Sequence, residues 1–87
     1  MWGLYIVECA DGTFYTGITN DLTARLAAHN KGKGAKYTQT RRPVSLVYHE
    51  LSTDRSSASK REYAIKRLSR QEKSVLISGY NKSPSED

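Results

Sequence analysis

Gly3-Leu4-Tyr5-Ile6-Val7-Glu8-Cys9-Ala10-Asp11-Gly12-Thr13-Phe14-Tyr15-Thr16-Gly17-Ile18-Thr19 is the stretch on which the fold turns. Two runs rich in aliphatic, aromatic and β-branched residues, 4–9 and 14–19, flank Ala10-Asp11-Gly12, and Asp-Gly between such runs is a hairpin signal. The loop length decides which side chains meet. A two-residue loop, Asp11-Gly12, pairs Cys9 with Phe14 and puts Tyr5 and Tyr15 on opposite faces. A three-residue loop pairs Cys9 with Thr13 and sets Gly12 at the left-handed position of a type I turn with a G1 bulge, where glycine is favoured. Tyr5, Val7, Tyr15 and Gly17 then share one face; Leu4, Ile6, Phe14, Thr16 and Ile18 share the other. The second register is preferred, because it yields one mostly apolar face and one face with two tyrosines.

Beyond the hairpin, Asn20 or Asp21 can cap a helix running to about His29. Helical spacing gathers Leu22, Arg25, Leu26 and His29 on one side of it, so its most chemically capable residues lie on the leucine face. Residues 30–42 contain Gly32, Gly34 and Asn30 and read as a mobile basic loop. Pro43 opens a third strand, 44–50, alternating Val44, Leu46 and Tyr48 against Ser45, Val47 and His49. After a turn and capping region at 52–57, a helix runs from about 57 to 68 with Ala58, Ile65 and Leu68 as its apolar stripe; Glu62 falls within that stripe. Ser69 and Glu72 form a capping box for a further helix that carries Val75, Leu76 and Ile77 and stops at Gly79. Residues 80–87 read as a polar, frayed tail. The expected architecture is a single α+β domain over residues 1–79, a small three-stranded, mainly antiparallel sheet flanked by helices in the order β-β-α-β-α-α.

Composition narrows the function. The chain has 87 residues, 37% hydrophobic and 26% charged, and a mean hydropathy of −0.69, which fits a small soluble domain and no membrane span. One cysteine, Cys9, excludes an internal disulfide framework and a multi-thiolate zinc site. The first residues lack the basic leader of a signal peptide, and a cytoplasmic location is expected. Net charge is +5, carried by two blocks. Residues 31–42 hold Lys31, Lys33, Lys36, Arg41 and Arg42 with no acid, and residues 55–73 hold seven bases against Glu62 and Glu72. Such blocks suit a polyanion.

The candidate chemical residues are Tyr5, Tyr15, Arg25, His29 and Glu62. Each has an ordinary explanation: core filling for the tyrosines, cover of apolar surface by the Arg25 stem, a helix C-terminus for His29, an i,i+4 pair with Lys66 for Glu62. Taken together they offer more, since burying such groups is costly unless they are paired or functional. The set can bind a metal, hold a phosphate and move a proton.

Gly3-Leu4-Tyr5, followed by Tyr15-Thr16-Gly17, Arg25-xxx-His29 and Glu62 in a later helix, resembles the GIY-YIG nuclease superfamily over roughly residues 2–70. Length and the KGKGAKYTQ…RRP segment look most like its small stand-alone bacterial YhbQ-like branch, and the same segment is similar to the nuclease subunit of the eukaryotic flap and junction endonuclease. The resemblance implies a DNA endonuclease that hydrolyses phosphodiesters with one divalent metal, Mg²⁺ or Mn²⁺, acting in repair or processing. Glu62 would be the protein ligand to that metal, Tyr5 or Tyr15 would serve or position the general base, Arg25 would bind the scissile phosphate, and His29 would relay a proton or orient a tyrosine. Some relatives carry an activating lysine three residues after the second motif tyrosine; here that residue is Ile18. A polar residue that relatives place after the glutamate has no clear counterpart, Lys66 and Asn81 being the nearest. Lys31, Lys33, Lys36, Arg41 and Arg42 are expected on backbone phosphates, with Tyr37 free to stack on an unpaired base. No sequence-reading module is present, so recognition of branched, damaged or single-stranded DNA, with a protein partner supplying further specificity, is expected. The competing expectation is a nucleic-acid-binding module of the same fold with little or no catalysis.

Overall fold

The computed structural model describes residues 1–81. Its hairpin takes the three-residue loop. The Cys9 N–H donates to the Thr13 carbonyl at 2.8 Å and the Gly12 N–H to the Cys9 carbonyl at 2.9 Å. Gly12 has φ 84°, the left-handed region that only glycine enters without strain. Strands β1 (Gly3–Glu8) and β2 (Phe14–Thr19) therefore pair antiparallel with Val7 opposite Tyr15 and Tyr5 opposite Gly17. Strand β3 (Ser45–Leu51) pairs antiparallel with the other edge of β1, so the sheet order is β2-β1-β3.

Both faces of this sheet are covered. Helix α1 (Leu22–Asn30) lays Leu22 and Leu26 against Tyr5, Val7, Cys9 and Val44. Helices α3 (Arg55–Lys66) and α4 (Arg70–Asn81) cover the opposite face, where Ile65 and Ile77 meet Leu4 and Ile6. Full burial of each Leu or Ile contributes on the order of 1.5–3 kcal/mol, enough to hold a three-layer arrangement in a chain this short. β1, the central strand, is buried from Gly3 to Val7.

Four expectations need correction. The third strand does not alternate strictly. A bulge opposite Ile6 and Val7 leaves Tyr48 facing Ile6 and Leu46 facing Val7. Val47 and Tyr48 both pack on the Leu4 side, and His49, now opposite Tyr5, comes to lie beside Gly3. An extra residue in one strand shifts every later side chain to the other face.

The segment read as a mobile loop is built instead around a short helix, α2 (Lys36–Gln39). It is tied down by Gln39 Nε2 donating to the Gly32 carbonyl at 3.1 Å and by Arg42 donating to the carbonyls of Gln39 and Asn30. Its glycines permit close packing here rather than motion.

Helix α3 starts at Arg55, capped by Asp54, which accepts from the Ser57 N–H at 2.8 Å; it ends at Lys66, so Leu68 packs from the turn that follows it. The Ser69–Glu72 capping box forms as expected, but α4 continues through Gly79 to Asn81. Gly79 lacks the positive φ of a helix-ending glycine, and glycine inside a helix costs only about 1 kcal/mol. Most of the expected tail, residues 82–87, lies outside the described residues.

Candidate active site

The tyrosine face is where the polar groups converge. Tyr5 starts at the middle of the central strand and leans its ring toward the β2 edge, so that a Cβ on Gly17 would sit 2.6 Å from its hydroxyl. The glycine opposite Tyr5 is what makes room for that hydroxyl. Above it, the inner side of α1 supplies Arg25 and His29, one helical turn apart. The Tyr5 hydroxyl lies 2.8 Å from His29 Nε2 and receives Arg25 Nε–H at 3.2 Å. His29 Nδ1 lies 2.9 Å from Thr38 Oγ1, and Thr38 donates to the Ala35 carbonyl at 2.9 Å. Tyr5, His29 and Thr38 are all fully buried.

Tyr15, opposite Val7, is half-buried and packs its ring edge-on to His29 at 5.4 Å. Its ring also stacks on Tyr37, and its hydroxyl adds a smaller contribution than Tyr5 to the electrostatics of Arg25. Those contributions, led by Tyr5, hold the Arg25 pKa above its usual value. Burial pushes the Tyr5 hydroxyl above 10.0; the bond and charge from Arg25 oppose that rise, while Glu62 adds to it. Burial first, then the charge of Arg25, lowers His29 below 6.5. At neutral pH the site therefore holds a neutral imidazole against a neutral phenol.

Glu62 comes from the other layer. Its side chain is 25% exposed and pairs with Lys66 Nζ at 3.3 Å, the ordinary i,i+4 contact. Its charge nevertheless reaches Tyr5 as the smallest of the influences on that hydroxyl, so α3, which packs against β2, brings a carboxylate within electrostatic range of the tyrosine face. Among the described residues no three His, Cys, Asp or Glu side chains gather into a metal cage. A lone carboxylate suits a hard, hydrated ion such as Mg²⁺, which keeps several waters and is held by one or two carboxylates plus substrate phosphates. The donor set present fits that ion.

The basic segment divides. Lys31, Lys33 and Lys36 are exposed and make no ion pair among the described residues. Arg41 is committed to Asp11 at 3.1 Å and to the Tyr37 carbonyl at 2.7 Å, and Arg42 to the carbonyls already named. Tyr37 is not a free platform: its ring stacks on Tyr15 at 5.9 Å and carries the Arg41 guanidinium 4.0 Å from its centroid. The segment's arginines therefore brace the site wall, while its lysines face outward. Ile18, standing where relatives carry a lysine, packs with the Leu4 cluster on the opposite face.

Sequence reasoning gave Thr38 and Gly34 no place in the site, and it put Gly17 on the tyrosine face without its role in admitting the Tyr5 hydroxyl. A Cβ on Gly34 would run into the ring and backbone of His29. The close spacing of Gly32 and Gly34 before Thr38 is a signal of tight packing, masked by its resemblance to a flexible loop.

The GIY-YIG catalytic domain matches residues 1–81. Over 82 residues the chain is 57% identical to a UPF0213 protein of Desulfotalea psychrophila, covering 93% of this chain and 74% of that one. It is also 57% identical to a UPF0213 protein of Staphylococcus haemolyticus over 85% of this chain and 90% of that one. Two solution NMR structures have the same fold. One is a UPF0213 protein from Bacillus halodurans (TM-score 0.60, 42% identity, 99% of this chain and 92% of that one). The other is a protein from E. faecalis (TM-score 0.62, 40% identity, 93% and 86%). The spacing of two strand tyrosines, a helical Arg-His pair and a glutamate on the opposite layer thus comes with a matching fold, and the chain belongs to the GIY-YIG family of nuclease domains, among its small stand-alone UPF0213 members.

Proposed function

We propose that the protein is a metal-dependent DNA endonuclease, directed by DNA structure rather than sequence, working in the cytoplasm in repair or processing. The observation that carries this reading is the bonded set Arg25–Tyr5–His29, with Glu62 within electrostatic reach. Arg25 binds the scissile phosphate and offsets the charge that develops there. As it moves onto the phosphate it uncovers the Tyr5 hydroxyl, which takes a proton from the attacking water and passes its own to His29 Nε2. His29 fits that task because it is neutral and already 2.8 Å away. This places at Tyr5 the activation that Ile18 cannot supply at Tyr15. Tyr15 packs edge-on against His29 and braces the imidazole. Glu62 would hold Mg²⁺ or Mn²⁺, which supplies Lewis-acid stabilisation of the phosphoryl oxygens when bound. Lys31, Lys33 and Lys36 contact backbone phosphates without reading bases, which leaves selection to DNA structure or to a partner protein.

The test is cleavage of labelled single-stranded, duplex, flap and four-way DNA with and without Mg²⁺. Wild type cleaves at least one of them in a metal-dependent way, whereas Glu62→Gln loses cleavage and keeps its DNA affinity. Binding without cleavage of any substrate would favour the non-catalytic module, and an active Glu62→Gln enzyme would overturn the ligand assignment.

A further inference from the structure

The Tyr5 hydroxyl has two polar partners, and only one can take its proton. Arg25 Nε is a donor and never an acceptor, so the hydroxyl must donate to His29 Nε2. Nε2 then carries a lone pair, and the ring proton sits on Nδ1. Nδ1 faces Thr38 Oγ1 at 2.9 Å, and the Thr38 hydroxyl proton is committed to the Ala35 carbonyl at 2.9 Å, leaving its oxygen as an acceptor. Every donor along the chain points the same way: Arg25 to Tyr5, Tyr5 to His29, His29 to Thr38, Thr38 to Ala35.

The Ala35 N–H approaches Nδ1 only to 3.5 Å. Favouring that contact would require the opposite tautomer. Nε2–H and Arg25 would then both donate to the Tyr5 oxygen, and a buried hydroxyl proton would have no acceptor.

We propose that Thr38 is a positioning residue that holds His29 in its Nδ1–H tautomer, so that Nε2 is the acceptor for the Tyr5 proton. Which ring nitrogen carries the proton is set by the bond the other one makes. Thr38 is fitted for this. It is fully buried, and its backbone N–H also bonds the Ala35 carbonyl at 3.1 Å, which fixes its hydroxyl at the Nδ1 edge of the ring. It lies two residues after Lys36 and next to Tyr37, so the segment that presents lysines outward also sets the proton on His29 inward. The importance of that proton for cleavage rests on the relay proposed above; the hold of Thr38 on the ring does not.

The experiment reads both separately. Long-range ¹H–¹⁵N correlation spectra of the His29 ring, recorded at a pH where it is neutral, report which nitrogen is protonated. Wild type and Thr38→Ser are expected to show a protonated Nδ1. Thr38→Val, which removes the oxygen, is expected to lose that preference and to cleave about 10²-fold more slowly at saturating protein, with Thr38→Ser restoring the rate. If Thr38→Val does not fold, Thr38→Ala removes the same oxygen without adding bulk. A wild-type ring protonated on Nε2, or a variant lacking the hydroxyl that keeps Nδ1–H, overturns the proposal. A changed tautomer with an unchanged rate supports the role of Thr38 and overturns the relay.

Discussion

Substituting Gly17 by alanine tests the geometry of the site with one methyl group. Gly17 is not among the positive-φ glycines, so alanine meets no backbone strain there, and its lower unfolded-state entropy would by itself stabilise by about 0.4–1 kcal/mol. Against that gain, the new Cβ would lie 2.6 Å from the Tyr5 hydroxyl, 2.8 Å from Cζ and 3.1 Å from Cε2. Ordinary contact begins near 3.4 Å, so the hydroxyl must shift by about 0.8 Å. Tyr5 cannot swing away freely, being wholly buried and pinned by His29 and Arg25. The expected net cost is about 1–3 kcal/mol of overpacking and disturbed bonding. At about 4–8 °C per kcal/mol for a domain of this size, that is a readily measured drop in Tm. Cleavage at saturating protein should fall by roughly 10²–10⁴-fold, as for loss of a positioned proton acceptor. Thermal melts by circular dichroism and single-turnover cleavage read the two effects. In the double variant Gly17→Ala/Tyr5→Phe the closest atom is gone, so stability should recover in part while activity stays low, a non-additive cycle. A Gly17→Ala protein with wild-type Tm and rate would refute the placement of the Tyr5 hydroxyl and the role built on it.

Tyr5→Phe should lower the saturated rate by roughly 10²–10⁴-fold and Tyr15→Phe by less, because among the described residues it is the Tyr5 hydroxyl that meets a base, His29; equal losses in single-turnover assays would contradict that ranking. Neutralising Lys33 and Lys36 together should weaken binding to every sequence alike and reduce the slope of log affinity against log salt by up to about 0.9 for each phosphate left un-neutralised on duplex DNA. Arg25→Ala should instead lose rate at saturation, and the reverse pattern in salt titrations would exchange the two assignments. Stability should also report the buried ring. His29 is held below 6.5 by burial and by Arg25, so the unfolded chain binds its proton first as pH falls. The stability present above about 6.5 is therefore lost as pH drops through the folded value. Urea midpoints should decline over that window in wild type and less in His29→Gln; the carboxylates held low, Asp11, Asp54 and Glu72, titrate beneath it. Above pH 10.0 the raised Tyr5 pKa predicts a second decline, because the unfolded phenol ionises first.

The hairpin and its helices are legible because their signals are local. Asp11-Gly12 defines a turn, the turn defines a register, and the register puts Tyr5 and Tyr15 on one face. Asp21 and the Ser69–Glu72 box mark helix starts through hydrogen bonds within three residues. The pairing of Arg25 with His29 follows from helical period alone. Residues 30–42 mislead because Gly32 and Gly34 carry opposite meanings in a free loop and in a packed one. Local composition cannot distinguish them, since only the ring of His29 against Gly34 and the side chain of Arg42 against Gly32 decide the matter.

From the sequence alone came the family motif, the three strands, the two-sided sheet and the five residues that carry the proposed chemistry. Tertiary structure decided how those residues meet. The hydroxyl of Tyr5 falls over Gly17 because the strands pair in one register, and His29 is held between Tyr5 and Thr38 because α2 folds back beneath α1. Glu62 comes into range of Tyr5 only because α3 packs under β2. The bulge that turns His49 toward Gly3 is equally non-local, arising from pairing between strands almost forty residues apart. Short-range hydrogen bonds and periodicity are written in neighbouring residues. Burial, proton direction and electrostatic reach depend on which distant surfaces the folded chain brings together.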